Sequence, residues 1–88
     1  MRIVVGTLMG LLAMQGAAFA QADCADLWYE RNSIYKDAGY CFKTAAAIRE
    51  FGNATCRYVD QRDVPLSQNQ RARIAEIVRA ERMIRCDR

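Results

Sequence analysis

Apolar and polar positions divide this chain into five stretches with different patterns. From Ile3 to Ala20 the residues are nearly all apolar and show no helical face, with Gln15 and three glycines inside the run. From Cys24 to Gly39 the period changes. Leu27, Trp28, Ile34, Tyr35 and Ala38 recur at helical spacing, and Arg31 falls on the same stripe. Asp23 is placed to cap this element, Asp26 puts a negative charge in its first turn, and Gly39 suits a left-handed end. The spacing predicts a first helix over 25–38, followed by Tyr40-Cys41-Phe42 as a short extended link. Thr44 to Phe51, with three consecutive alanines, predicts a short second helix stopped by Gly52-Asn53. From Asn53 to Leu66 the period is lost. This stretch reads as an irregular connector with room for one helical turn, and Pro65 lies at its end. Ser67 with Gln70 one turn on forms a capping-box pattern. Ile74, Ile77, Val78 and Ile84 then predict a third helix over 68–84, with Arg71, Arg73, Arg79 and Arg82 largely off that face. The expected fold is all-α: a small three-helix domain.

The first stretch changes the picture of where the protein works. Met1-Arg2, an apolar centre and Ala18-Phe19-Ala20 are the three parts of a secretory signal peptide, with cleavage expected after Ala20. The run from Ile3 to Ala20 is thin for a spanning helix, so no stable membrane insertion is expected after cleavage. The expected organisation is a signal peptide over 1–20 and one domain over 21–88, exported to the periplasm or secreted. Of the 88 residues, 13 are Lys or Arg and 10 are Asp or Glu; losing Arg2 takes the net charge from +3 to +2. The chain left after cleavage is too short for a nucleotide-binding α/β fold. Histidine, the commonest general base and metal ligand, is absent.

All four cysteines, Cys24, Cys41, Cys56 and Cys86, lie in the expected mature part. An even count in a short exported chain predicts two disulfides. The cysteines stand much farther apart than the closely spaced ligand pairs of a zinc site, and there is no Cys-x-x-Cys redox motif. Cys24 and Cys41 bracket the first helix, about 25 Å apart at its ordinary rise, which excludes that bond. An antiparallel return of the third helix gives Cys24–Cys86 with Cys41–Cys56, the preferred pairing. A parallel return gives Cys24–Cys56 with Cys41–Cys86, which chain geometry leaves open.

The stretch Leu27-Trp28-Tyr29-Glu30-Arg31-Asn32-Ser33-Ile34-Tyr35, followed by Gly39-Tyr40-Cys41-Phe42, resembles the YARHG domain family. That family's pattern is a helix carrying Arg-Asn-x-Ile-Tyr, then a glycine, an aromatic residue and Phe. The resemblance is confined to positions 27–42 and implies a small extracytoplasmic bacterial domain with no established activity. Arg31, Asn32, Ile34, Tyr35 and Gly39 carry the motif and are expected to be structural. Lys36, Asp37 and Ala38 replace the Ala, Arg and His of the family's name motif, so a role for that histidine does not transfer.

Arg31, on an apolar stripe, is expected to pack its stem on Trp28 and Tyr35 and to satisfy backbone carbonyls of the connector; a ligand clamp with Asn32 is the competing role. Most aromatic residues are expected in the core, with Tyr29, off the stripe, exposed. Arg79 and Arg82, with Tyr29, are candidate surface contacts. Glu76, Glu81 and Asp87 dilute the basic tail, so a solvated face is the expectation and no nucleic acid partner is foreseen. No carboxylate pair is set up for acid–base work, and no cofactor or metal is expected. The functional expectation is a non-catalytic exported interaction domain that binds a protein or envelope component. The alternatives are a tiny enzyme or accessory factor of envelope metabolism, and an inhibitor of an envelope enzyme.

Overall fold

The computed structural model describes residues 23–87, so the expected signal peptide over 1–20 lies outside the described residues. Among the described residues three α-helices form: α1 (Cys24–Asp37), α2 (Ala45–Phe51) and α3 (Gln68–Met83), with a 3₁₀ turn at Gln61–Asp63 in the connector. The all-α, disulfide-stapled class read from the sequence is the one observed.

Each helix starts at an oxygen-bearing cap. The Asp23 carboxylate accepts from the Asp26 N–H at 2.8 Å, and the Thr44 hydroxyl accepts from Ala47 at 3.2 Å, which leaves Thr44 just outside α2. At α3 both halves of the capping box are made: Gln70 N–H to the Ser67 hydroxyl, and Ser67 N–H to the Gln70 side chain. Each cap satisfies amide protons that the helix itself cannot, worth about 1 kcal/mol.

The C-terminal ends explain more. At α1 the Gly39 N–H donates to Lys36 and the Tyr40 N–H reaches back to Tyr35, the paired bonds of a Schellman turn. Gly39 sits at φ +96°, where a side chain would be strained. The Tyr35 and Tyr40 rings meet at 5.7 Å, the apolar contact that often closes such a turn. α3 ends the same way, with Arg85 donating to Arg82 and Cys86 to Glu81, although Arg85 takes the left-handed position.

The link after α1 is extended, as expected, and it is also paired. Cys41 N–H donates to Tyr58, and Arg57 and Tyr58 both donate to Gly39, giving an isolated parallel bridge between Tyr40 and Tyr58. Asn53 does more than end α2. Its side chain accepts from Phe42 N–H at 2.7 Å and donates to Phe42 O at 2.9 Å, as a neighbouring strand would.

α3 packs antiparallel on α1, and α2 covers part of α1. The disulfides are Cys24–Cys86 and Cys41–Cys56, with Cα separations of 5.5 and 5.1 Å. Leu27, Phe42, Ala47, Val64 and Ile77 form the buried apolar core. Two details of the third helix differ from expectation. It ends at Met83, and Ile84, expected on the buried face, is its exposed cap. The inward position is taken by Glu81.

Candidate functional site

The sequence singles out Arg31, and the structure gives it a partner. Its Nε donates to Glu81 Oε1 and its Nη2 to Glu81 Oε2, both at 3.0 Å. The side chains are 15% and 1% exposed. This corrects the expected bonding of Arg31 to connector carbonyls. A guanidinium aimed at a buried face is best offset by a carboxylate, whose two oxygens match its fork. The antiparallel register fixed by Cys24–Cys86 brings Glu81 opposite. The signal was present in the sequence, because Glu81 continues the Ile74, Ile77, Val78 stripe just as Arg31 continues that of α1. Two opposite charges on facing apolar stripes predict each other.

Asn32 is buried, and its side chain donates to Trp28 O at 2.9 Å, one turn back. Ile34 is half-buried. With Tyr35 and Gly39 in the Schellman turn, the motif residues shape one helix and its exit. Lys36, where the name motif has Ala, donates from Nζ to Gly52 O at 3.4 Å, while Asp37 is exposed.

Three further acids are held in local structure. Asp60 caps the 3₁₀ turn, and the Arg62 side chain, then the Arg62 N–H, hold its carboxyl below the usual carboxylate range. Glu30 on α1 and Glu76 on α3 both accept from Arg73; Glu30 first and Glu76 second push that guanidinium's pKa upward. Among the described residues no group of three or more Cys, Asp or Glu is placed to hold a metal ion.

Three surface features remain. The first is an aromatic row: Tyr29 meets Phe51 at 5.1 Å, Phe51 meets Phe42 at 5.3 Å, and Phe42 meets Tyr40 at 5.2 Å. Trp28 joins at Phe51, 5.9 Å away. Among the described aromatic residues only Phe42 is buried, so they are less interior than their number suggested. Tyr29 ends the row at 50% exposed, and Ile48, on the same side of α2 as Phe51, is also exposed. The second is an open cleft of about 270 Å³ beside the Cys41–Cys56 bond, bordered by Lys36, Gly39, Tyr40, Arg57 and Tyr58. The third is the solvent face of α3, where Arg79 and Arg82 are exposed. The candidate contacts therefore separate: Tyr29 lies by α2, and the two arginines lie on α3.

The YARHG domain family model matches residues 2–82. No curated protein and no solved structure matches the chain. The matched range runs from the apolar N-terminal stretch through almost all of α3. Two closed disulfides are the covalent chemistry of an oxidising compartment. No helix among the described residues is long and apolar enough to cross a membrane.

Proposed function

We propose, from the premise that this chain belongs to the YARHG domain family, that it is a non-catalytic exported domain binding a protein or envelope component through its Tyr29 edge. The family is one of small extracytoplasmic domains, and the disulfides fit that compartment. One observation carries the reading: a tyrosine half-exposed yet fixed from behind. Phe51 supports the Tyr29 ring, and Phe42 and Trp28 support Phe51. Rigid tyrosines of this kind make strong binding anchors, because they offer a large contact area and lose little side-chain freedom on association. Two disulfides and the Arg31–Glu81 pair keep the elements behind that edge in register.

Affinity capture from envelope extract tests the proposal, using protein recovered from the exported fraction. The parent should retain a partner in a fixed ratio, and Tyr29→Ala should weaken capture by at least about thirtyfold, the range of an interface anchor. The variant should still fold, since it loses only a half-exposed ring contact of about 1 kcal/mol. Equal capture by Tyr29→Ala, or turnover of an envelope substrate by the purified protein, would contradict the proposal.

A further inference from the structure

At 3.6 residues per turn, Arg71, Arg79 and Arg82 fall within an arc of about 80° on α3. All three are exposed, and their side chains make no ion pair or hydrogen bond among the described residues. No acidic residue lies within the arc. Glu76, farther round the helix, is held by Arg73, and Glu81 is buried on the opposite side. Ala75 lies inside the arc, with Ala72 and Met83 at its edge. The small residues let a flat surface approach closely, and Met83 is the most exposed large apolar residue described, at 82%. Beyond the helix end the exposed Arg85 and Asp87 offset each other.

We infer that this face of α3 docks on a bilayer surface carrying anionic phospholipids, with the three arginines over the phosphates and Met83 dipping between headgroups. Unpaired cations alternating with small residues, beside one protruding apolar chain, match the charge and texture of such a surface. The other basic residue of the helix, Arg73, is occupied by Glu30 and Glu76 and does not contribute. The inference goes beyond the Tyr29 reading and uses a different face, so either can fail alone.

Flotation with vesicles tests it, using protein from the exported fraction with both disulfides intact. Vesicles of phosphatidylcholine alone are compared with vesicles containing phosphatidylglycerol. The parent should prefer the anionic vesicles, and the preference should vanish at about 1 M salt, where charges beyond roughly 3 Å are screened. Each arginine near such a surface contributes roughly fivefold, so R71Q/R79Q/R82Q should lose about a hundredfold in partitioning. R71K/R79K/R82K should retain it, which also controls for folding. K43Q/R49Q/R57Q removes the same charge elsewhere and should retain most of the binding. Met83→Ser should weaken it by roughly tenfold without changing the salt dependence. Equal binding to both vesicle types, equal loss in the two glutamine triples, loss in the lysine triple, or capture only of an acidic protein would overturn the inference.

Discussion

Reducing both disulfides should unfold this domain at about 37 °C. The Cys24–Cys86 bond closes a loop of 62 residues and Cys41–Cys56 one of 15. Loop-closure entropy makes these worth roughly 4 and 3 kcal/mol, through states that the unfolded chain is denied. Against that stands a core of five buried apolar side chains among the described residues, in a size class where the core alone rarely supplies more than about 3 to 5 kcal/mol. Together, at roughly 7 kcal/mol, the staples outweigh what such a core supplies. Circular dichroism with and without reductant measures this, with loss of helical signal expected on reduction. Taken singly, Cys24→Ser/Cys86→Ser should cost about 1 kcal/mol more than Cys41→Ser/Cys56→Ser. An unchanged melting temperature in reductant would mean that the core stands by itself.

The second large effect is expected at the Arg31–Glu81 pair. Glu81 is almost fully buried, so removing Arg31 takes away the guanidinium that binds both of its oxygens inside the protein. Arg31→Ala and Glu81→Ala should each cost about 3 to 5 kcal/mol, most of it the penalty of the charge left behind. Arg31→Lys should recover only part, because an ammonium cannot reproduce the two-pronged contact with both oxygens. The informative variant is Arg31→Met/Glu81→Leu. Replacing both charges by apolar chains of similar size is often neutral or stabilising, so the double variant should melt near or above the parent. Such a result would assign the pair to register more than to net stability. If Arg31 were a ligand clamp instead, the single variants would melt like the parent and lose only partner binding.

Features set by neighbouring residues could be read directly from the sequence. Asp23, the Ser67–Gln70 box and Gly39 each mark a helix end through bonds between near neighbours in the chain, and each acts where it was expected. The features that escaped reading depend on residues far apart in the chain. Arg31 and Glu81 are 50 positions apart, and which group meets that guanidinium depends on the register of two helices. Asn53 looked like a helix stop, because its bonds to Phe42 exist only once the chain has folded back across 11 positions. The Tyr40–Tyr58 bridge escaped for the same reason. At α3, local period and tertiary position diverge: Ile84 fits the apolar spacing, but the turn that carries Cys86 back to Cys24 ends the helix first. Of the candidate site, Tyr29 was legible as an apolar residue off the buried stripe. The support behind it was not, since Phe51 arrives from another helix.

A disulfide map of protein from the exported fraction tests most directly whether the three described helices are locked by these two particular disulfides. Trypsin cuts after Arg31, Lys36, Lys43, Arg49, Arg57 and Arg85, which places each cysteine on its own peptide. The expected result is a chain starting at Gln21, an intact mass four hydrogens below the reduced form, the peptide 21–31 bonded to 86–88, and the peptide 37–43 bonded to 50–57. Free thiols, a retained Met1, or bonds joining 21–31 to 50–57 and 37–43 to 86–88 would contradict it.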